Sequence, residues 1–320
     1  MTRLSGWLLS GLACVSFAVF AQGYPARPIR MIVPFPPGAG TDVVARLVSQ
    51  RLADSLKSPI VVENRAGAGG AIGAEAVARA EPDGYTLLFV ASPFTTVPAA
   101  SHSAGYDPIR QFAPIALIAV GPLVWAVGPA VPARSLRELL ELARARPGLL
   151  SYGSAGQGSI NHLALELLKI RSGTNFLHVP YKGMGPALLD LAGGQIQMLT
   201  TTIPAALPYV KQDKIRIIAV TGLKRSPMLA DVPTMHEQGV NGYDVNNYWG
   251  IVAPANTGRE IVARLNAEVQ QLLGSAEFRE RLEREGVELA PGGPEKFAAY
   301  LAGEYAMWRK IVVEAGIKVD

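Results

Sequence analysis

Apolar residues along this chain fall into two alternating patterns: short unbroken runs, and longer segments in which they recur at helical spacing. The first pair is IRMIVPFPPGAGTDVVAR, residues 29–46. Its opening run over 29–33 reads as a buried parallel strand, and a Pro/Gly loop follows over 34–40. Thr41 and Asp42 then open a helix with Val43, Val44, Leu47, Val48 and Leu52 on one face. The same succession repeats. Strands are predicted over 59–63, 86–90, 149–152, 176–179, 195–199 and 215–220, and helices over 74–80, 136–146, 160–170, 186–191 and 204–210. Such alternation predicts an α/β fold with a mainly parallel sheet. Two longer apolar stretches, 113–127 and 248–253, read as strands crossing between two domains, with hinges at Gly121-Pro122 and Trp249-Gly250. Three closing helices, 261–273, 277–285 and 295–312, are expected to pack on the first domain. Ser135 with Glu138, and Thr257 with Glu260, have the spacing of capping boxes.

Composition narrows the class. The 320 residues are 49% hydrophobic and 18% charged, which is globular and long enough for two domains. The net charge of +4 is scattered, and no block of Lys and Arg is interleaved with aromatics, so nucleic acid is not an expected partner. Residues 1–21 have the form of a secretory leader: Arg3, an apolar core, and a small-residue cleavage site ending at Ala21. A retained N-terminal anchor is the alternative. The only cysteine, Cys14, lies in this leader, so the rest of the chain has no disulfide, thiolate nucleophile or cysteine metal site.

Motifs for chemistry fail in turn. Gly67–Gly73 reads G-x-G-x-x-x-G, with Ile72 where a dinucleotide fingerprint needs glycine, and no glycine turn is followed by the Lys-Ser/Thr of a P-loop. No serine sits in a nucleophile elbow, although His102, His162, His178 and His236 leave a triad open by count. No metal-ligand spacing occurs, and no cofactor is implied.

What remains are four glycine- and hydroxyl-rich turns at predicted strand ends: 36–42, 92–96, 154–159 and 200–202. Ligands of open α/β sheets bind outside the carboxyl ends of strands. Helix N-termini present unpaired N–H groups and partial positive charge. Four of them, drawn from two domains, suit a carboxylate.

Five segments also carry a resemblance: YPARPIRMIVPFPPGAGTDVVAR, VENRAGAGGAIGAEAVARAEPDGYTLL, SYGSAGQGSINHLALELL, HVPYKGMGPALLDLAGGQIQ and YWGIVAPANTG. Together they resemble the extracytoplasmic binding proteins of tripartite tricarboxylate transporters, the Bug or TctC-like family, over nearly the whole exported chain. The resemblance implies a periplasmic-binding-protein-like flytrap of type II, with two α/β domains joined by two crossing strands. It implies domain 1 over 24–121 and 248–320, and domain 2 over 122–247. It also implies a non-catalytic, monomeric periplasmic protein that binds a small di- or tricarboxylate or aromatic acid and delivers it to membrane transporter subunits. By the same resemblance, ligand contacts fall on Phe35, Pro37, Gly38, Ala39, Gly40 and Asp42; on Ser92 and Thr95; and on Ser154, Gly156, Gly158, Ser159 and His162.

Two positions depart from the family pattern. Ala39 stands where a second glycine is usual, and Thr201 stands where an aspartate often faces a ligand amine or hydroxyl. The second departure favours a ligand without an ammonium group. Two other readings stay open: an exported α/β hydrolase or esterase, and a binding protein that presents its ligand to a sensor-kinase ectodomain. Gly67–Gly73 is read as structural, because a strand order of 2-1-3 would place its loop to one side of the site.

Overall fold

The computed structural model describes residues 23–38, 40–101, 103–284 and 287–317. The predicted leader with Cys14, and also Ala39 and His102, lie outside them. Ten α-helices and ten strands occur among the described residues. In chain order the first part comprises β1 (Ile29–Val33), α1 (Gly40–Leu56), β2 (Ile60–Asn64), α2 (Ala71–Ala78), β3 (Thr86–Ala91) and α3 (Pro93–Ala100). The long strand β4 (Phe112–Val127) leads to α4 (Leu136–Ala145), β5 (Ser151–Ser154), α5 (Ile160–Ser172), β6 (Leu177–Pro180), α6 (Met184–Ala192), β7 (Met198–Thr202), α7 (Ile203–Val210) and β8 (Arg216–Val220). β9 (Asn246–Pro254), α8 (Arg259–Gly274), α9 (Ala276–Arg284), β10 (Glu288–Gly292) and α10 (Pro294–Glu314) complete the chain.

Two lobes share β4. In the first, the order is β2-β1-β3-β9-β4, with β1 parallel to β2 and β3, and β9 antiparallel to β3 and β4. In the second, β5 is parallel to β6 and β7, while β7 and β8 flank the other half of β4 antiparallel. Each lobe therefore repeats the order 2-1-3 and follows its third strand with an antiparallel one, β9 in the first and β4 in the second; β10 adds antiparallel to β4 in the first lobe. The handover on β4 is sharp: Pro122 still pairs with Asn246 of β9, whereas Leu123 pairs with Thr202 of β7. Proline has no N–H to donate, so a ladder can change partners there without losing a bond.

Each sheet is buried on both faces, and alternation along the strands divides the core. Ile29, Met31 and Val33 pack with α1 and α8, whereas Ile32 packs with α2 and Phe297 of α10. On β4, Trp125 and Val127 face the α5 side, and Val124 and Ala126 face α6 and α7.

Several expectations need correction. The final helix does not pack on the first lobe alone: Phe297 and Leu301 join its core, but Trp308, Ile311 and Val312 lie in the core of the second. Trp249-Gly250 is not a handover, since both residues pair within the first lobe with β3 and β4. The return crossing lies at Val245–Asn246. There Thr221 accepts from Leu123 N through Oγ1, and Val245 N donates to Thr221 O, so one threonine ties both crossings. Thr257 does not cap α8; its hydroxyl donates to Pro254 O, and Gly258 is the N-cap. Residues 200–202 belong to β7 rather than to a loop, and residues 93–96 open α3 rather than form a turn, with Ser92 at the N-cap position and its hydroxyl on Asn247. β10 was not anticipated at all. The structural reading of Gly67–Gly73 agrees with the packing: a Cβ on Gly73 would stand 2.9 Å from both Arg65 O and Pro34 Cβ, so only glycine lets α2 approach β1 this closely.

Candidate binding cleft between the lobes

A cavity of about 220 Å³ opens between the lobes where five helices begin, α1, α3, α5, α6 and α7. Its wall takes Phe35 and Thr41 from the β1–α1 connection, and Ala91 and Pro93 from the β3–α3 junction. Ile160 and Asn161 come from the first turn of α5, Thr201, Thr202 and Ala205 from the β7–α7 junction, and Leu123, Met184 and Asn247 close it. Residues from three of the four stretches singled out in the sequence line it, and the fourth, 154–159, leads directly into Ile160 and Asn161. Among the described residues, no ionisable side chain lines the cavity. The chemistry on offer is threonine hydroxyls, two carboxamides, first-turn backbone N–H groups and an apolar floor, which suits an anion with an apolar body. A larger groove of about 500 Å³, between Ser226–Met228 and α9 with β10, lies away from these helix starts and carries Arg279, Glu283 and Glu288.

The predicted site residues divide into wall and support. Phe35 and Thr201 line the cavity. Pro37, Gly38 and Gly40 belong to the loop that precedes Thr41 and are exposed outside the wall. Asp42 is 2% exposed and committed to its own loop. Its Oδ2 accepts from Gly38 N at 2.9 Å and from Arg46 Nε at 2.9 Å, and its Oδ1 accepts from Asn64 Nδ2 at 2.7 Å. Burial alone would raise its pKa, but these bonds from Arg46, Asn64 and Gly38 outweigh burial and hold it below the usual carboxylate value. Gly38 has φ +80°, a conformation that a side chain would strain.

In the second lobe the corresponding loop is held without charge. Ser154 Oγ lies 2.6 Å from His178 Nε2 and accepts from Gly156 N at 3.1 Å. His162 Nδ1 accepts from Gly158 N at 3.1 Å, and the rings of His162 and His178 stack at 4.0 Å with planes 6° apart. That bond requires an unprotonated Nδ1. Burial, reinforced by neighbouring His178 and Lys169, pushes the His162 pKa down to about 3, and burial followed by Lys169 takes His178 to about 4. Ser159 caps α5, accepting from His162 N and donating to Gly156 O at 2.6 Å. None of these five predicted residues is in the wall; they set where Ile160 and Asn161 stand.

Ser92 and Thr95 support the third turn. Ser92 gives its N–H and hydroxyl to Asn247 Oδ1, and Thr95 Oγ1 lies 3.1 Å from the buried Tyr248 hydroxyl. Sequence reasoning missed Asn161, Asn247, Thr41, Thr202 and Met184 as wall residues. For Asn161 and Thr202 a signal was available, because each flanks a helix start that had already been identified.

Comparison with known proteins places this geometry. The tripartite tricarboxylate transporter family receptor profile matches residues 44–317. Protein BugT of Bordetella pertussis is 36% identical over 323 residues, covering 100% of this chain and 99% of that protein. The R. palustris protein Rpa4515, solved with adipate, superposes with a TM-score of 0.83 at 37% identity, covering 92% of this chain and 99% of the other. MatC from Rhodopseudomonas palustris, solved with bound malate, gives a TM-score of 0.78 at 32% identity over 90% of this chain and all of that one. With its doubled 2-1-3 lobes, its cleft at five helix starts and these relatives, the chain belongs to the tripartite tricarboxylate transporter receptor family of Bug-type solute-binding proteins.

Proposed function

We propose that this protein captures a small carboxylic acid in the interlobe cleft, in the periplasm, and delivers it to the membrane subunits of a tripartite tricarboxylate transporter. The observation that carries the reading is the convergence of five helix N-termini on a cavity with no ionisable wall residue among the described residues. Helix dipoles and N–H groups stabilise a carboxylate there, while the absence of a carboxylate on the wall leaves a ligand ammonium without a partner. The adipate and malate in the two R. palustris relatives support the ligand class. The ligand is held by the wall residues, and Pro37, Gly38, Gly40, Asp42, Ser92, Thr95, Ser154, Gly156, Gly158, Ser159 and His162 shape the turns beneath it. The lobes close about the Pro122–Leu123 and Val245–Asn246 handovers, which shift the expected bounds of 24–121 with 248–320 against 122–247 by one residue at the first crossing and two at the second. The protein works as a monomer, with residues 1–21 removed on export.

The hydrolase reading has one observation to answer, the short Ser154–His178 contact. Ser154 is 0% exposed and its hydroxyl already serves the loop, so the pair is better suited to holding Gly156 than to attacking a substrate. Isothermal calorimetry on protein purified from the cell envelope, across di- and tricarboxylates, aromatic acids and amino acids, tests the proposal. Saturable binding of at least one acid with a raised melting temperature is expected. Ester turnover with no carboxylate binding would overturn it.

A further inference from the structure

Two carboxamides line the cleft, and the orientation of each is fixed by a backbone partner that can act in only one way. Asn161 donates through Nδ2 to Thr200 O at 2.8 Å and to Thr200 Oγ1 at 3.2 Å. A carbonyl oxygen can only accept, so the amide nitrogen must face Thr200 and Oδ1 must face the other way. Thr200 is itself held by the Tyr152 hydroxyl at 2.6 Å, which leaves the carboxamide no freedom to flip. Asn247 is fixed in the opposite sense: Ser92 N can only donate, so Oδ1 faces Ser92 and Nδ2 is turned away. Neither outward end has a hydrogen-bond partner among the described residues, neither is among the buried unpaired atoms there, and both residues line the cavity. The cleft therefore presents one fixed donor, at Asn247, and one fixed acceptor, at Asn161, beside the hydroxyls of Thr41, Thr201 and Thr202, which can do either.

A carboxylate has no use for an acceptor. We infer that the cleft selects a hydroxy acid: a small dicarboxylate with a hydroxyl on its carbon chain, whose O–H donates to Asn161 Oδ1 while a carboxylate accepts from Asn247 Nδ2 and the threonines. This rests on the carboxylate reading above and names the ligand within it. An unsubstituted acid buries the Asn161 oxygen without a donor, and sites built to bond a hydroxyl discriminate strongly against analogues that lack one. A 2-amino acid reaches the same oxygen but brings a full positive charge to a wall with no anion.

The test is calorimetry on the purified protein with matched pairs: succinate against malate, and glutarate against 2-hydroxyglutarate, with aspartate and glutamate as the amino counterparts. The hydroxylated member of at least one pair should bind about tenfold or more tighter than its unsubstituted partner, and tighter than the amino acid. In Asn161→Ala that ratio should fall to within about twofold of one. In Asn247→Ala both acids should weaken while the ratio survives. A ratio is measured on one preparation with two ligands, so partial unfolding of a variant does not imitate the result. Equal affinity for both members of each pair in the parent protein overturns this inference and leaves carboxylate binding intact. So does a ratio that persists in Asn161→Ala. Failure of every acid to bind overturns the function itself.

Discussion

The two lobes build the same turn with different chemistry. The β1–α1 loop is pinned by an ionised carboxylate, with Asp42 collecting Gly38 N, Arg46 and Asn64. The β5–α5 loop is pinned by neutral groups, the stacked imidazoles of His162 and His178 with Ser154. Both devices satisfy backbone N–H groups that the turn would otherwise leave unpaired, and both do so from behind the ligand wall. Strand order and helix start are therefore common to the lobes, while the means of fastening the turn is free to differ. The difference shows in which conditions loosen each one.

The largest effect should come from Asp42→Ala. It removes a buried carboxylate that collects Gly38 N, Arg46 and Asn64, leaving Asn64 Nδ2 with Phe35 O alone, and should cost about 2–3 kcal/mol in urea unfolding, with ligand affinity lost as well. Retained stability together with retained binding would mean that the first loop needs no such fastening.

Acid should act next, and on the second lobe first. His162 has a folded pKa of about 3 against an ordinary 6.5, so between those values the unfolded chain holds the proton. Stability from this group is complete above about pH 6.5 and is lost as pH falls towards 3, roughly 2 kcal/mol by pH 5. Asp42, also lowered, loses its contribution only as pH falls below the ordinary carboxylate value of 3.8. Glu304 works the other way. Burial, aided by Asp244, raises its pKa to about 7 against an opposing Trp308 hydrogen bond, so its ionisation weakens the fold as pH rises. The His162 effect is therefore read as a difference between proteins. His162→Asn, which keeps an acceptor for Gly158 N, should remove about half of the pH 7-to-5 loss that the two imidazoles cause, the rest belonging to His178, and an unchanged difference would exclude His162 as a source.

Gly38→Ala should cost about 1–2 kcal/mol from its φ of +80° with no clash, since nothing lies within 4 Å of the added carbon. Melting curves that overlay the parent's would contradict a left-handed turn. Smallest of all, Arg46→Gln should cost no more than about 0.5 kcal/mol and only at low salt, because the Arg46 side chain is half exposed. A larger, salt-insensitive loss would show that charge in the first loop matters more than its hydrogen bonds do.

The two loops also show how far sequence reading reached. β1 matches its expected bounds residue for residue, because four apolar positions around the single exposed Arg30, stopped by Pro34, allow little else. The Ser135 cap was placed as well, its hydroxyl accepting from Glu138 N at 3.2 Å. The β7 boundary was displaced, since Thr200–Thr202 look like a turn by composition but suit a strand through β-branching. Family resemblance pointed to both glycine turns, yet it did not separate residues that touch the cavity from residues that hold the turn.

Period, capping and turn chemistry act between neighbours, and they were readable along the chain: alternating strands and helices, four helix starts rich in glycine and hydroxyls, and a proline where the long strand changes partners. Tertiary structure alone decided the rest. It put α10 across both cores, moved the return crossing to Val245–Asn246, and turned Asp42 and His162 inward to their loops. Asn247 became a fixed donor only because it meets Ser92, 155 residues away along the chain. Asn161 became a fixed acceptor through Thr200 on another strand. An amide's two ends are nearly the same size and differ only in what they bond, so its direction is set by the partner that folding brings to it.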